Sequence, residues 1–196
     1  MGPRKRSSVP ATVSPDDLTT IMGALNPRYT SNRRMRAMVA LMYATGLRVG
    51  EACALEADSV DRNAGIVTVP HVAGLTKTGG RVVGLPLSPL LDEALDAWEA
   101  VRDTASPHYF HTSTGGRVDT SQVRRRLGQI AEQVGLPDVH PHTMRHTFGR
   151  NLVAAGVPIT VVQNALGHSD LSSTMIYTRV AESEQVNVLR GVTLPL

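Results

Sequence analysis

The spacing of apolar residues changes once along the chain, and this change most constrains the fold. Up to about residue 55 and again from about residue 89, apolar residues recur every three or four positions, which is typical of amphipathic helices. Between these parts, residues 66–69 and 81–85 are rich in valine and bordered by glycine or asparagine, as short strands are. The pattern predicts a mainly α fold with a small antiparallel β-sheet, in the α+β class.

Start and stop signals divide the helical parts into separate segments. Ser14, Pro15 and Asp17 form the pattern of a capping box with proline in the first turn. Gly46 follows a methionine-bearing segment and can take the left-handed conformation that ends a helix. The predicted helices cover residues 14–25, 31–45, 49–55, 89–102, 121–134, 142–155, 158–166, 170–178 and 181–189.

A chain of 196 residues with 41% hydrophobic residues is expected to form one globular domain. We predict this domain at residues 13–180, after a basic linker at 1–12 and before a C-terminal tail at 181–196. The N-terminus has no apolar stretch typical of a secretory signal, and no apolar run is long enough to span a bilayer. The expected location is therefore cytoplasmic, with no membrane partner.

Arginine is grouped rather than dispersed, although the formal net charge is only +3. Basic groups occur at residues 4–6, 33–36 and 124–126, and the guanidinium group pairs well with phosphate oxygens. Any one group could be a solvated helix face, but three together favour a polyanionic partner. The single cysteine, Cys53, excludes an internal disulfide, and its apolar neighbours indicate a buried, inert thiol.

Two stretches in the N-terminal half carry charged residues at structural boundaries. Residues 44–51 read Ala-Thr-Gly-Leu-Arg-Val-Gly-Glu, which places Arg48 at a helix start and Glu51 three residues later on the same face. A local surface ion pair of little consequence is the alternative. Lys77 lies at the predicted hairpin turn, where it is either a solvated charge or a group that could reach a bound substrate.

Two further stretches lie in the C-terminal half. His142 and Arg145 are three apart at a helix start and project to one side. His142 and His146 also have the spacing of zinc ligands, although the glutamate of the His-Glu-x-x-His pattern is absent. His168 follows Leu-Gly at a helix boundary, and Tyr177 lies nine positions later. Satisfied surface histidines are the favoured interpretation of His71, His108, His111, His140 and His146.

Taken in order, these stretches resemble the signature of the tyrosine recombinases, the phage integrase family. The resemblance covers residues 13–180, which it identifies as a catalytic domain. The Ala-Thr-Gly-Leu-Arg box, the hairpin lysine, the His-x-x-Arg box, the Leu-Gly-His box and the Ile-Tyr-Thr box are all filled. The resemblance implies as catalytic residues Arg48, Lys77, His142, Arg145, His168 and Tyr177, with Glu51 in support.

The resemblance also implies a reaction, in which Tyr177 cleaves and rejoins DNA strands through a 3′-phosphotyrosyl intermediate. His142 is expected to act as the base and Lys77 as the acid that protonates the leaving 5′-oxygen. Arg48 and Arg145 are expected to grip the non-bridging oxygens, with a hydrogen bond from His168. No metal, ATP or other cofactor is expected, because the arginines supply the cationic charge and the phosphotyrosine keeps the bond energy.

Double-stranded DNA is the expected partner, with a monomer in free solution and a homotetramer on DNA. Family members usually carry an N-terminal DNA-binding domain, for which there is no room before Ser14, so the chain is expected to be either a fragment or a minimal recombinase. Two other functions stay open: DNA relaxation like that of a type IB topoisomerase, and a catalytically silent DNA-binding module.

Overall fold

The computed structural model describes residues 11–76, 80–86 and 88–167, and these residues form a helical domain with one three-stranded sheet. The predicted fold class is confirmed. The predicted helices at 170–178 and 181–189 lie outside the described residues, so the domain limits at 13–180 stay a prediction. In chain order the elements are α1 Pro15–Gly23, α2 Thr30–Thr45, α3 Val49–Ala54, β1 Val60–Asp61, β2 Ile66–Val69, β3 Arg81–Gly84, α4 Pro89–Glu99, α5 Thr120–Gln133, α6 Pro141–Ala154 and α7 Ile159–Leu166.

Local signals fix the ends of the first two helices. At the start of α1, the Ser14 hydroxyl accepts the Asp17 N–H at 3.1 Å, while the Asp17 carboxylate accepts the Ser14 N–H at 2.9 Å. Helix α2 ends at Gly46, which has a φ of 65°. A Cβ at this position would lie 2.4 Å from Cδ1 of Phe148, so glycine also allows α6 to approach the end of α2.

The sheet is antiparallel in the order β1-β2-β3. The predicted pairing of residues 66–69 with 81–85 is confirmed, and its register places Val69 opposite Arg81. Strand β1 was not predicted, because two residues are too few to show a period. The hairpin between β2 and β3 brings Arg81 back toward the helical part of the domain.

Helix α2 runs through the core and packs against both α4 and α6. Trp98 and the thiol of Cys53 are fully buried, and burial raises the pKa of Cys53 to about 12, so the inert-thiol prediction is confirmed.

His111 is buried against Trp98 and its Nε2 accepts the Asp103 N–H at 3.0 Å, so its assignment to the surface is wrong. Among the helices of the described ranges, none has the length and apolarity that crossing a membrane requires.

Helix α7 packs on α6 through a small second apolar cluster. Val162 and Leu166 are fully buried there against Phe148 and Leu152. This packing brings the end of α7 close to the end of α2 and the start of α3. Arg145 donates hydrogen bonds to carbonyl oxygens at the ends of both α2 and α7, and Arg48, which precedes α3, donates one to Gly167.

Candidate active site

A buried carboxylate, Glu51, joins three arginines from three different elements. Its Oε1 lies 3.0 Å from Nη1 of Arg48, and its Oε2 lies 2.9 Å from Nη2 of Arg81 and 4.0 Å from Nη1 of Arg145. The Glu51 side chain is 1% exposed. The alternative of a surface ion pair between Arg48 and Glu51 is therefore wrong. We call these four residues the Glu51 cluster.

The Glu51 cluster carries an excess of positive charge. Burial by itself would raise the pKa of Glu51, but the charges and hydrogen bonds of Arg81 and Arg48 outweigh this effect and hold the pKa below its usual value. Glu51 is therefore ionised at neutral pH. One carboxylate against three guanidinium groups leaves two positive charges in the cluster. Such an excess is suited to an anionic ligand.

Arg48 is the member of the cluster that is open to solvent. It caps the N-terminus of α3, where its backbone N–H donates to Oε2 of Glu51 at 2.8 Å. Its Nη2 also donates to the carbonyl oxygen of Gly167 at 3.2 Å. Its side chain is 28% exposed. Glu51 thus orients the guanidinium group of Arg48 while leaving part of it free to reach a ligand.

Arg145 is held in place by hydrogen bonds to the C-terminal ends of two helices. It is 2% exposed, and its Nη1 donates to the carbonyl oxygen of Gly46 at 2.8 Å. Its Nη2 donates to the carbonyl oxygen of Leu166. These oxygens lie at the C-terminal ends of α2 and α7, where the partial negative charge of a helix stabilises a cation. The sequence therefore places a fixed positive charge at the floor of the site.

His142 lies in the first turn of α6, beside two other imidazoles. This helix begins at Pro141, and His140 caps it by accepting the Thr143 N–H on Nδ1 at 3.3 Å. The His142 ring meets the His146 ring edge to face, with 4.3 Å between centroids. Burial, with the positive charge of Arg145, lowers the pKa of His142, so that its imidazole is neutral at pH 7.

The alternative of a zinc site can be tested on the described residues. Within residues 11–76, 80–86 and 88–167, no three side chains of histidine, cysteine, aspartate or glutamate are placed to hold a metal ion. Burial, followed by the charge of His142, lowers the pKa of His146 to about 4. At the zinc-like spacing, the described residues thus show two imidazole rings in edge-to-face contact.

Arg48, His142 and Arg145 line one cavity of about 340 Å³. The structure therefore brings together four of the seven residues that the sequence singled out, counting Glu51 beneath the cavity. The other three, Lys77, His168 and Tyr177, lie outside the described residues, and the catalytic roles of all seven stay predictions. The full lining of the cavity is Arg48, Val49, Arg124, His140, Pro141, His142 and Arg145.

Sequence reasoning missed two arginines of this region. Arg124 is exposed on α5 and lines the cavity, but in the sequence it is only one of three consecutive arginines. Arg81 was assigned only to a predicted strand, whereas it contacts Glu51, which is 30 positions away in the chain. No local signal reports contacts of this kind.

Comparison with known proteins identifies relatives of this chain. The chain is 32% identical over 190 residues to a tyrosine recombinase of Thermosipho africanus, covering 96% of the chain and 64% of that protein. It is 35% identical over 161 residues to the tyrosine recombinase XerC of Corynebacterium efficiens, covering 81% of the chain and 50% of that protein. The chain thus spans about half to two thirds of the length of these relatives.

Among solved structures, that of XerA recombinase matches with a TM-score of 0.77 and 29% identity, covering 98% of the chain and 68% of XerA. XerH site-specific recombinase bound to its difH substrate matches with a TM-score of 0.69 and 20% identity, covering 92% of the chain and 53% of XerH. At 20% identity the XerH match supports the fold alone. The sequence pattern of the phage integrase family matches residues 11–184. This chain therefore belongs to the phage integrase family, the tyrosine recombinases.

Proposed function

We propose that this chain is the catalytic domain of a site-specific DNA recombinase, which cleaves and rejoins DNA by transesterification. The observation that carries the proposal is the cavity in which Arg48, Arg145 and a neutral His142 converge above a buried carboxylate. The relatives that bear the name tyrosine recombinase support the same activity. Topoisomerase-like relaxation and a silent DNA-binding module are the alternatives that covalent capture and strand exchange distinguish.

The charge of the Glu51 cluster suits the transition state better than the bound substrate. A phosphodiester carries one negative charge, whereas the pentavalent phosphorane that forms from it carries up to two. The two excess positive charges of the cluster therefore stabilise the phosphorane more strongly than the ground state. Of the three arginines in the Glu51 cluster, Arg48 and Arg145 border the cavity, and they bind the non-bridging oxygens.

The proposed reaction conserves bonds and charges without an external energy source. The Tyr177 oxygen attacks phosphorus, the P–O5′ bond breaks, and His142 takes the phenolic proton. Lys77 gives a proton to the departing 5′-oxygen, and His168 donates one further hydrogen bond to the phosphorane. Because the pKa of His142 is lowered, its imidazole is free to accept a proton at neutral pH. Attack by a 5′-hydroxyl on the phosphotyrosine then rejoins a strand.

Double-stranded DNA is the proposed substrate, and its phosphates are proposed to follow the cation-rich mouth of the cavity. Arg124, which is exposed and lines the cavity, is proposed to bind a phosphate next to the scissile one. We further propose a monomer in free solution, a homotetramer on DNA and a cytoplasmic location. Residues 181–196 are proposed as a tail that docks on a neighbouring protomer. Deleting residues 182–196 should abolish multi-protomer synapsis on DNA, and unchanged synapsis would contradict this assignment.

Covalent capture tests the proposed activity without knowledge of the natural site. The chain is incubated with a pool of nicked duplexes of random sequence, in which loss of a short 3′ fragment traps the cleaved strand. Strands that survive a denaturing wash on the protein are then sequenced. We expect adducts with the wild type and none with Tyr177→Phe, which keeps the ring but loses the nucleophile. Tyr29→Phe is the matched control, because Tyr29 is 64% exposed and lies outside the cavity.

Each outcome of this experiment separates the proposals. Adducts with Tyr177→Phe would show that another residue is the nucleophile, and their absence from the wild type would favour a silent DNA-binding module. Incubation of the captured sequence with a second duplex then measures strand exchange. Relaxation of supercoiled DNA without strand exchange would instead favour a topoisomerase-like function.

A further inference from the structure

We propose that Arg81 is a positioning residue, which fixes the hairpin that carries Lys77 against Glu51 and the end of α7. This inference rests on the proposed function, because it assigns Lys77 the role of general acid. Arg81 begins strand β3 and follows Lys77 by four positions. We therefore expect a displacement of Arg81 to disturb the lysine, which precedes it by four positions in the chain.

The contacts of Arg81 join three separate elements. Its Nη2 donates to Oε2 of Glu51 on α3 at 2.9 Å, and its Nη1 donates to the carbonyl oxygen of Ala165 on α7. Its own backbone is paired with Val69 on β2. The side chain is only 12% exposed. A single guanidinium group thus connects the hairpin to the carboxylate that orients Arg48 and to the helix end that holds Arg145.

Gly167 shows how closely the chain after α7 approaches this guanidinium group. Gly167 has a φ of 59°, and a Cβ there would lie 2.9 Å from Nε and 3.1 Å from Cδ of Arg81. Glycine is thus favoured both by its backbone conformation and by the flat face of Arg81 beside it. The same contact constrains the backbone at Gly167, which directly precedes His168 in the sequence.

Arg81 itself is poorly suited to be the acid. Both terminal nitrogens already donate hydrogen bonds, and Arg81 is not among the residues that line the cavity. Its geometry instead suits a rigid connection between the hairpin and the helices, since the planar guanidinium group can donate to a carboxylate and to a carbonyl group at once. The structure therefore assigns Arg81 to positioning and leaves the proton transfer to the hairpin lysine.

The chain offers a matched control in Arg62. This arginine also connects the sheet region to a helix, with its guanidinium group bonded to Asp92 and Glu99 of α4 at 3.1 and 3.2 Å. None of its acidic partners lines the cavity. A general weakening of the attachment between sheet and helices would thus appear in Arg62→Gln as well as in Arg81→Gln. An effect on the hairpin lysine would appear only in the latter.

The first measurement is single-turnover cleavage of the captured duplex and of the same duplex with sulfur at the bridging 5′ position. A thiolate leaves with little protonation, so the sulfur substrate hardly needs the acid. We expect Arg81→Gln to cleave normal DNA ten to a hundred times more slowly, about the cost of misplacing a catalytic group by 1 Å. The sulfur substrate should be slowed several times less than normal DNA, since the variant loses one positive charge of the Glu51 cluster but this substrate hardly needs the displaced acid. Arg62→Gln should cleave both substrates like the wild type.

Two results would overturn the assignment: equal slowing of both substrates by Arg81→Gln, and no slowing of either. If Arg81→Gln does not fold, Arg81→Lys replaces it, because lysine keeps the charge but cannot bridge both partners in the same geometry.

Hydrogen exchange provides a second measurement that needs no activity. Arg81→Gln should speed amide exchange in residues 80–84 and 163–167, while Arg62→Gln leaves these segments unchanged. If amide exchange in these segments is unchanged in Arg81→Gln, Arg81 does not hold the hairpin against α7. If the wild type captures no DNA at all, the proposed function fails, yet this measurement still decides whether Arg81 fixes the hairpin.

Discussion

Two ion-pair clusters in this domain have opposite compositions. In the Glu51 cluster, three arginines surround one carboxylate that is 1% exposed. In the second cluster, Arg62 is surrounded by Asp92, Asp96 and Glu99, whose side chains are 44%, 66% and 30% exposed. We call this second group the Arg62 cluster. One cluster is buried and positive, and the other is half exposed and negative.

The comparison shows that an ion pair has different consequences in the two settings. Solvent screens the charges of the Arg62 cluster, so its contacts contribute little beyond fastening a turn to α4. The Glu51 cluster is desolvated, so its charges interact strongly and each guanidinium group is held in a fixed direction. An unbalanced buried cluster is also costly unless an anion completes it. A scissile phosphate in the neighbouring cavity would be that anion.

The largest expected effect is that of Glu51→Gln on stability. The change keeps the shape of the side chain but leaves three guanidinium groups without a counter-charge. The free energy of unfolding should therefore fall by about 3 kcal/mol. Arg62→Gln should cost about 1 kcal/mol or less, because its partners are solvated. Urea denaturation at pH 7 measures both. Equal losses in the two variants would mean that burial does not distinguish the clusters.

The second prediction concerns catalysis by Arg145. Arg145→Ala should slow formation of the covalent adduct by about a hundredfold or more, because a preorganised cation facing the phosphorane is lost. The bridging sulfur substrate should not restore this rate, since charge on the non-bridging oxygens is unaffected by the leaving group. Arg62→Ala is the control and should cleave at the wild-type rate. Rescue of Arg145→Ala by sulfur would contradict the role assigned to it.

Those features of the fold that depend on neighbouring residues in the chain could be predicted from the sequence. The cap at Ser14 and the stop at Gly46 could be predicted because the residues that form them are neighbours in the chain. The burial of Glu51 could not be predicted, since it depends on Arg81 and on the fold around it. Arg124 likewise enters the cavity only because α5 packs against α3. Long-range convergence leaves no periodic signal in a single sequence.

The third prediction concerns acid pH, at which Glu51 loses its negative charge and His146 gains a proton. The lowered pKa of Glu51 stabilises the fold above the usual carboxylate pKa of about 4.3, and this contribution is lost as pH falls through the folded-state value. Burial, with the charge of His142, also lowers the pKa of His146 to about 4, so the unfolded chain binds the extra proton first. Stability should therefore decrease as pH falls from about 6.5 to 4.

His146→Asn should flatten this pH dependence, because it removes the group that the unfolded state protonates. The measurement is the urea midpoint at pH 7.5 and pH 5 for both proteins. If the wild type and His146→Asn lose equal stability between these pH values, titration of His146 contributes nothing and the neutral imidazole pair is not what acid disrupts.

The smallest expected effect is that of Arg124→Gln on DNA binding. Loss of one phosphate contact should reduce the slope of log affinity against log salt by about 1 and weaken binding severalfold. Arg126→Gln is the matched control, since Arg126 lies on the same helix but lines a different depression, beside α2. Equal changes in slope for the two variants would indicate general attraction to the basic helix rather than a phosphate site at the cavity.

The central claim is that arginines supply the cationic charge of this site, and cleavage in the presence of a chelator tests it most directly. Adduct formation on the captured duplex is followed with the wild type before and after dialysis into excess EDTA. The account predicts an unchanged rate, because the two excess positive charges of the Glu51 cluster are part of the fold. Loss of cleavage in EDTA, restored by zinc or magnesium, would contradict it and would favour a metal bound near His142 and His146.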